Sequence, residues 1–144
     1  MARVERIEDC ISFVVAKAAQ RVTRRARELL APCHLTPTQY AVLKVLWERD
    51  GQNASDLAAR LQIDSATITG VIDRLEASGL VERRSLSDDR RVNPLYTTRQ
   101  ARSLRERADA AMDQLNAEIR DALGSRAPVA WKALDAIARQ TRGA

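Results

Sequence analysis

Aromatic side chains are scarce in this chain, with two Trp, two Tyr and one Phe in 144 residues, and the scarcity removes one way of holding nucleic acid. Single strands are gripped by exposed rings that stack on successive bases, and so few rings do not make such a platform. Metal ligands are equally thin. Cys10 and Cys33 lack the spacing and the companions of a zinc site, and His34, the single histidine, does not complete one, so neither metal nor cofactor is expected. Two cysteines fit a reducing compartment. No stretch approaches the length of a membrane span, and the start MARVERIEDC carries charge where a secretion signal needs an apolar core, so the expected location is the cytoplasm. No nucleophile beside a base, phosphate-cradling Gly loop or paired carboxylate site can be named, which argues against an enzyme.

What is present is a hydrophobic content of 45%, enough for one domain with a real core, and a formal net charge of +5. That charge alone is a weak pointer to a polyanionic partner, and its position matters more than its sum.

The chain is organised around residues 53–91, NASDLAARLQIDSATITGVIDRLEASGLVERRSLSDDRR. Leu57, Ala58 and Leu61 share one face of a first short helix, and Ile68, Val71, Ile72 and Leu75 share one face of a second. Only Gln62, Ile63 and Asp64 separate them, a connection of helix-turn-helix length, with Asp64 placed to cap the second helix through the N–H of Ala66 or Thr67. Outside its apolar stripe the second helix carries Ser65, Thr67, Thr69 and Gly70, with Arg74 a turn later, small donors and acceptors suited to base edges. After Gly79, an expected helix stop, Leu80 and Val81 open an extended run, Ser87, Asp88 and Asp89 make a polar turn, and residues 92–98 return. Arg83 and Arg84 lead into that turn and Arg90 and Arg91 leave it, so four guanidiniums are expected at one hairpin tip, suited to phosphates and a narrow minor groove. Pro94 cannot donate to a ladder, which predicts a short or edge position for the returning strand.

Either side of this unit the pattern is helical. Residues 4–30 repeat apolar side chains at helical spacing up to the stop at Pro32, while Lys17, Arg21, Arg24, Arg25 and Arg27 on the other face read as a solvated surface rather than a DNA contact. Thr36, Pro37 and Gln39 form a capping-box signature for a helix that buries Tyr40, Leu43, Leu46 and Trp47 and ends at Gly51. Residues 99–123 carry a stripe rich in alanine, and residues 127–140 a stripe with Trp131, Leu134 and Ile137. The terminal helices hold more apolar surface than a small lobe can cover, so they are expected to pack against their copies in a second subunit.

The order DLAARL, DSATITGVIDRLEASGLVERR, SDDRR and LYTTRQARSL closely resembles the MarR family of winged helix-turn-helix transcriptional regulators over nearly the whole chain. The resemblance implies a mainly α fold with a small β-wing, in which residues 36–98 form the DNA-binding lobe and residues 1–35 and 99–144 the dimerisation helices of one domain. It implies a homodimer that binds a pseudo-palindromic duplex operator, a repressor released by a small aromatic or anionic effector, with Arg90 entering the minor groove and Asp88 orienting it. An effector site is expected from Phe13, Lys17 and His34 beside Trp47, which also reads as plain core. The chain departs from the family pattern at Gln62, where a Gly is usual, and at residues 97–101, which replace LT-x-x-G with TTRQA. Gln62 is therefore expected in a left-handed or bridge conformation. Two other readings are weighed against this one. A winged-helix docking module is disfavoured by the wing arginines, and an oxidant sensor built on Cys10 is disfavoured because the tyrosines that would hold a thiolate are missing, leaving an inert buried cysteine as the expectation.

Overall fold

The computed structural model describes residues 3–85 and 93–140. In chain order they form α1 (Ile11–Leu30), α2 (Pro37–Glu48), α3 (Ala54–Leu61), α4 (Ser65–Ala77), β1 (Val81–Arg83), β2 (Leu95–Thr97), α5 (Arg99–Leu123) and α6 (Ala127–Gln140), a mainly helical chain with one small antiparallel sheet.

The lobe from α2 to β2 closes around a core of Leu43, Leu46, Leu57, Ile68, Ile72, Leu75 and Leu95, each at most 1% exposed. The local signals that start and stop its helices behave as their chemistry predicts. Thr36 and Gln39 form a reciprocal capping box on α2, Asn53 and Asp56 another on α3, and the Asp64 carboxylate accepts from the Thr67 amide at 2.8 Å to cap α4. Gln62 ends α3 with φ at +55°, the left-handed one of the two conformations, left-handed or bridge, expected where a glycine is usual. Gly79 ends α4 with φ at +74°, and the Leu80 amide reaches back to the Leu75 carbonyl at 2.9 Å.

β1 and β2 pair Val81 with Thr97 and Arg83 with Leu95. β2 starts just after Pro94, as short as that proline demands. The loop after α2, which ends at Glu48 rather than Gly51, seats this hairpin. Asp50 accepts from the Thr97 amide at 2.9 Å, Gln52 bridges to Leu95, and the buried Gln52 side chain donates to the carbonyls of Val45 and Arg49.

α5 leads away from the hairpin and carries α1 and α6. Arg25 of α1 binds Glu118 of α5 through two parallel bonds, Nε to Oε2 at 2.9 Å and Nη2 to Oε1 at 2.7 Å. That guanidinium holds the Glu118 carboxyl down to about 2. Tyr40 and Lys44 of α2 both donate to Asp109 of α5, at 2.8 and 2.9 Å. Burial alone would raise the Asp109 carboxyl, but the Lys44 and Tyr40 bonds outweigh it and leave it below the usual range. Burial and the same Asp109 bond push the Tyr40 hydroxyl upward.

The first helix is shorter than its periodicity predicts. Ile7–Asp9 is a single 3-10 turn, and Cys10 is extended before α1 begins. Val4, Ile7 and Ile11 are 56 to 68% exposed, so nothing packs there to hold further helical turns together, and an unpacked helix end is marginal in water.

Candidate nucleic-acid interface

α4 divides cleanly. Ile68, Val71, Ile72 and Leu75 are buried, while Ser65, Thr67, Thr69 and Arg74 are exposed and Gly70 is half-buried. A methyl group placed at Gly70 would meet nothing within 4 Å, so packing inside the chain does not demand glycine there, although glycine costs a helix about 1 kcal/mol relative to alanine. Two hydroxyl protons on this face are already committed. Thr67 gives its hydroxyl to Asp64 at 2.7 Å, and Thr69 gives its hydroxyl to the Ser65 carbonyl at 2.8 Å. The Thr67 amide and hydroxyl together keep the exposed Asp64 carboxyl below its usual value. Neither threonine therefore has its hydroxyl proton free to donate to a base.

Of the four arginines expected at the hairpin tip, Arg83 and Arg84 lie among the described residues. Arg83 is bound by Asp73 at 2.7 Å and by Glu76 at 3.0 Å, both from α4, so it braces the hairpin against the helix. Arg84 is bound by Glu82 at 2.8 Å and lies 3.9 Å over the Tyr96 ring. Their carboxylates come from positions that a linear reading of the arginines ignores. Asp88, Arg90 and Arg91 lie outside the described residues.

The expected effector residues do not converge. Phe13 and Lys17 share a shallow cavity of about 290 Å3 with Val14, Ala18 and Arg21, and the Lys17 ammonium lies 6.0 Å from the Phe13 ring centroid. This cavity adjoins a second of about 490 Å3 along α1, which shares Lys17 and Arg21 and adds Arg24. His34 is exposed in a left-handed turn and Trp47 is 9% exposed in the core, and neither lines these cavities. Trp47 does leave its indole N–H buried and unpartnered.

Cys10 also departs from expectation. It is half-buried at the start of α1, with its thiol 3.2 Å from the Ser12 hydroxyl. That hydroxyl, with the Phe13 and Ser12 amides, holds the thiol below its ordinary value. Cys33 is the buried cysteine.

A small exposed helix face on a short tight turn, beside a two-stranded hairpin and carried by long flanking helices, is also the arrangement of known proteins. A sequence model described as the MarR family matches residues 35–93. The HTH-type transcriptional regulator TtmR of Methylorubrum extorquens is 40% identical over 104 residues, an alignment covering 72% of this chain and 53% of that protein. This chain belongs to the MarR family. It spans about half the length of that relative. Among solved structures, the transcriptional repressor CouR bound to a 23-mer DNA duplex superposes with a TM-score of 0.82 at 25% identity, covering 96% of this chain and 99% of that one. CouR from Rhodococcus jostii RHA1, bound to p-coumaroyl-CoA, superposes with a TM-score of 0.77 at 28% identity, covering 92% of each chain.

Proposed function

We propose that this MarR-family chain is a homodimeric, sequence-specific duplex-DNA-binding transcriptional regulator of the cytoplasm, a repressor that acts by binding rather than catalysis. The observation that carries the reading is the exposed face of α4, where Ser65, Thr67, Thr69, Gly70 and Arg74 stand free of the core that the opposite face builds. The DNA-bound CouR structure supports it by its likeness to this chain. Two copies joined through α1, α5 and α6 present two such helices to successive major grooves of a pseudo-palindromic site. In the wing, Asp88 orients Arg90 toward the flanking minor groove, so Asp88→Ala weakens binding although it removes a negative charge. The test is selection of binding sequences from a random duplex library, followed by affinity measurements at fixed salt. A recovered site bound no more tightly than random duplex, or Asp88→Ala binding as tightly as wild type, counts against the reading.

The trigger is a small anionic molecule with an apolar or aromatic part. Phe13, Val14 and Ala18 supply an apolar wall, and Lys17, Arg21 and Arg24 supply cations along the same helix that outnumber the two carboxylates in these linings, Glu8 and Glu28. The p-coumaroyl-CoA complex of CouR favours aromatic acids and their thioesters as the first panel for thermal-shift and DNA-release assays. A second reading is kept alive by one observation, the lowered Cys10 thiol at the α1 start. If a hydroperoxide dissociates the wild-type DNA complex and leaves a Cys10→Ser complex intact, oxidation replaces the small anion as the trigger.

A further inference from the structure

Between α1, the start of α2 and one flank of α4 lies an open cavity of about 300 Å3 that includes Thr23, Arg27, Thr38, Thr67, Val71 and Arg74 in its lining. No carboxylate among the described residues lines it. Several arginines of these helices and the hairpin are ion-paired: Arg25 with Glu118 and Glu28, Arg60 with Glu48, and Arg83 with Asp73 and Glu76. Arg27 and Arg74 have no ion pair among the described residues, yet they face one cavity from two different helices. Asp64, the acid beside this site, is occupied by the Thr67 amide and hydroxyl. Two guanidiniums turned toward one acid-free space repel each other until an anion lies between them.

The position of the cavity chooses the anion. Arg74 and Thr67 belong to the exposed face of α4, and a helix seated in a major groove has sugar-phosphate backbone along both flanks. We infer that this cavity receives a backbone phosphate of the bound duplex, held between Arg27 of α1 and Arg74 of α4, so that the first helix is itself part of the DNA interface. Val71, 6% exposed, forms the apolar floor, and the Thr38 hydroxyl adds a donor from the start of α2. The inference rests on the duplex-binding reading above. It also revises the expectation that the whole basic face of α1 is merely solvated.

The test is the salt dependence of binding to a random-sequence duplex, where base reading plays no part. Arg27→Gln is expected to lower the slope of log affinity against log salt by about 0.9 per subunit and to weaken binding to operator and random duplex by the same factor. Arg27→Lys is expected to keep the slope. Arg107→Gln, the same charge change at an exposed position of α5 outside this cavity, is expected to leave it unchanged. An Arg27→Gln slope equal to wild type overturns the inference, as does an equal loss in Arg107→Gln, which would reduce the effect to net charge. If wild type binds no duplex at low salt, the functional reading falls and takes this inference with it. Inorganic phosphate that raises the wild-type Tm but not that of Arg27→Gln, with the DNA slope unmoved, would assign the cavity to a free phosphate and overturn the duplex assignment.

Discussion

In the lobe built by α2, α3, α4 and the hairpin, the apolar side chains are closed over by their own chain, and Leu43, Leu57, Ile72 and Leu75 are each 0% exposed. On α6 and the outer half of α1 the same kinds of residue stand in water, with Ile11 at 68%, Leu134 at 59% and Val129 at 71%. Both regions carry apolar side chains at helical spacing, so periodicity reports which face is apolar and says nothing about what covers it. The reader lobe contains its own cover. The terminal helices lack one among the described residues, which is why a second copy enters the functional proposal.

The sharpest way to test that contrast is to shave each surface. Leu75→Ala is expected to cost about 2 to 5 kcal/mol in urea unfolding, because it opens a cavity in a closed core. Leu134→Ala should leave the unfolding of dilute, dissociated chains within about 0.5 kcal/mol of wild type. Comparable losses at both sites would erase the distinction. At micromolar concentration wild type is expected to sediment at about twice the 16.0 kDa chain mass, and Leu134→Glu, which puts charge into the proposed seam, to sediment near 16.0 kDa without losing helicity. A wild-type monomer would leave the exposed stripe of α6 without a role.

A smaller effect reads how the flanking helices are tied on. Glu118 titrates near 4.3 in an unfolded chain and is held to about 2 by Arg25, so the folded state binds its proton more weakly. The stability this tie contributes is complete above the unfolded value and is lost as pH falls through the folded one. The urea midpoint of wild type should therefore decline more steeply between about pH 4.3 and 2 than that of Glu118→Gln. The pair is 39% exposed on each side, so the difference is expected to be modest and to shrink with added salt. Parallel profiles would mean that Arg25 and Glu118 contribute no net tie.

The two regions also differed in how far the residue order could be read. The helix-turn-helix was legible down to the left-handed Gln62 and the Asp64 cap, because caps, turns and stripes are local and each is written within about four residues. Long-range electrostatics were not. Nothing near Arg83 announces that Asp73 and Glu76 will claim it, and Arg27 and Arg74, which share a cavity, are far apart in the chain. The seat of the hairpin was missed for a related reason. Asp50 and Gln52 lie about 45 residues before Thr97 and Leu95, and only the fold brings them together. The break at Cys10 was hidden because Ile7 and Ile11 keep helical spacing across a stretch that no neighbour packs against.

The internal bonding of Thr67 and Thr69 has a consequence for the chemistry of the base surface. With both hydroxyl protons committed within the helix, each threonine keeps a methyl group and an acceptor oxygen for a base, and a methyl suits contact with the one major-groove feature that is itself a methyl, the 5-position of thymine. Replacing thymine by deoxyuridine at a contacted position should then weaken binding by about 0.8 kcal/mol, the value of one buried methyl-sized group, with every hydrogen-bonding group of the base left in place.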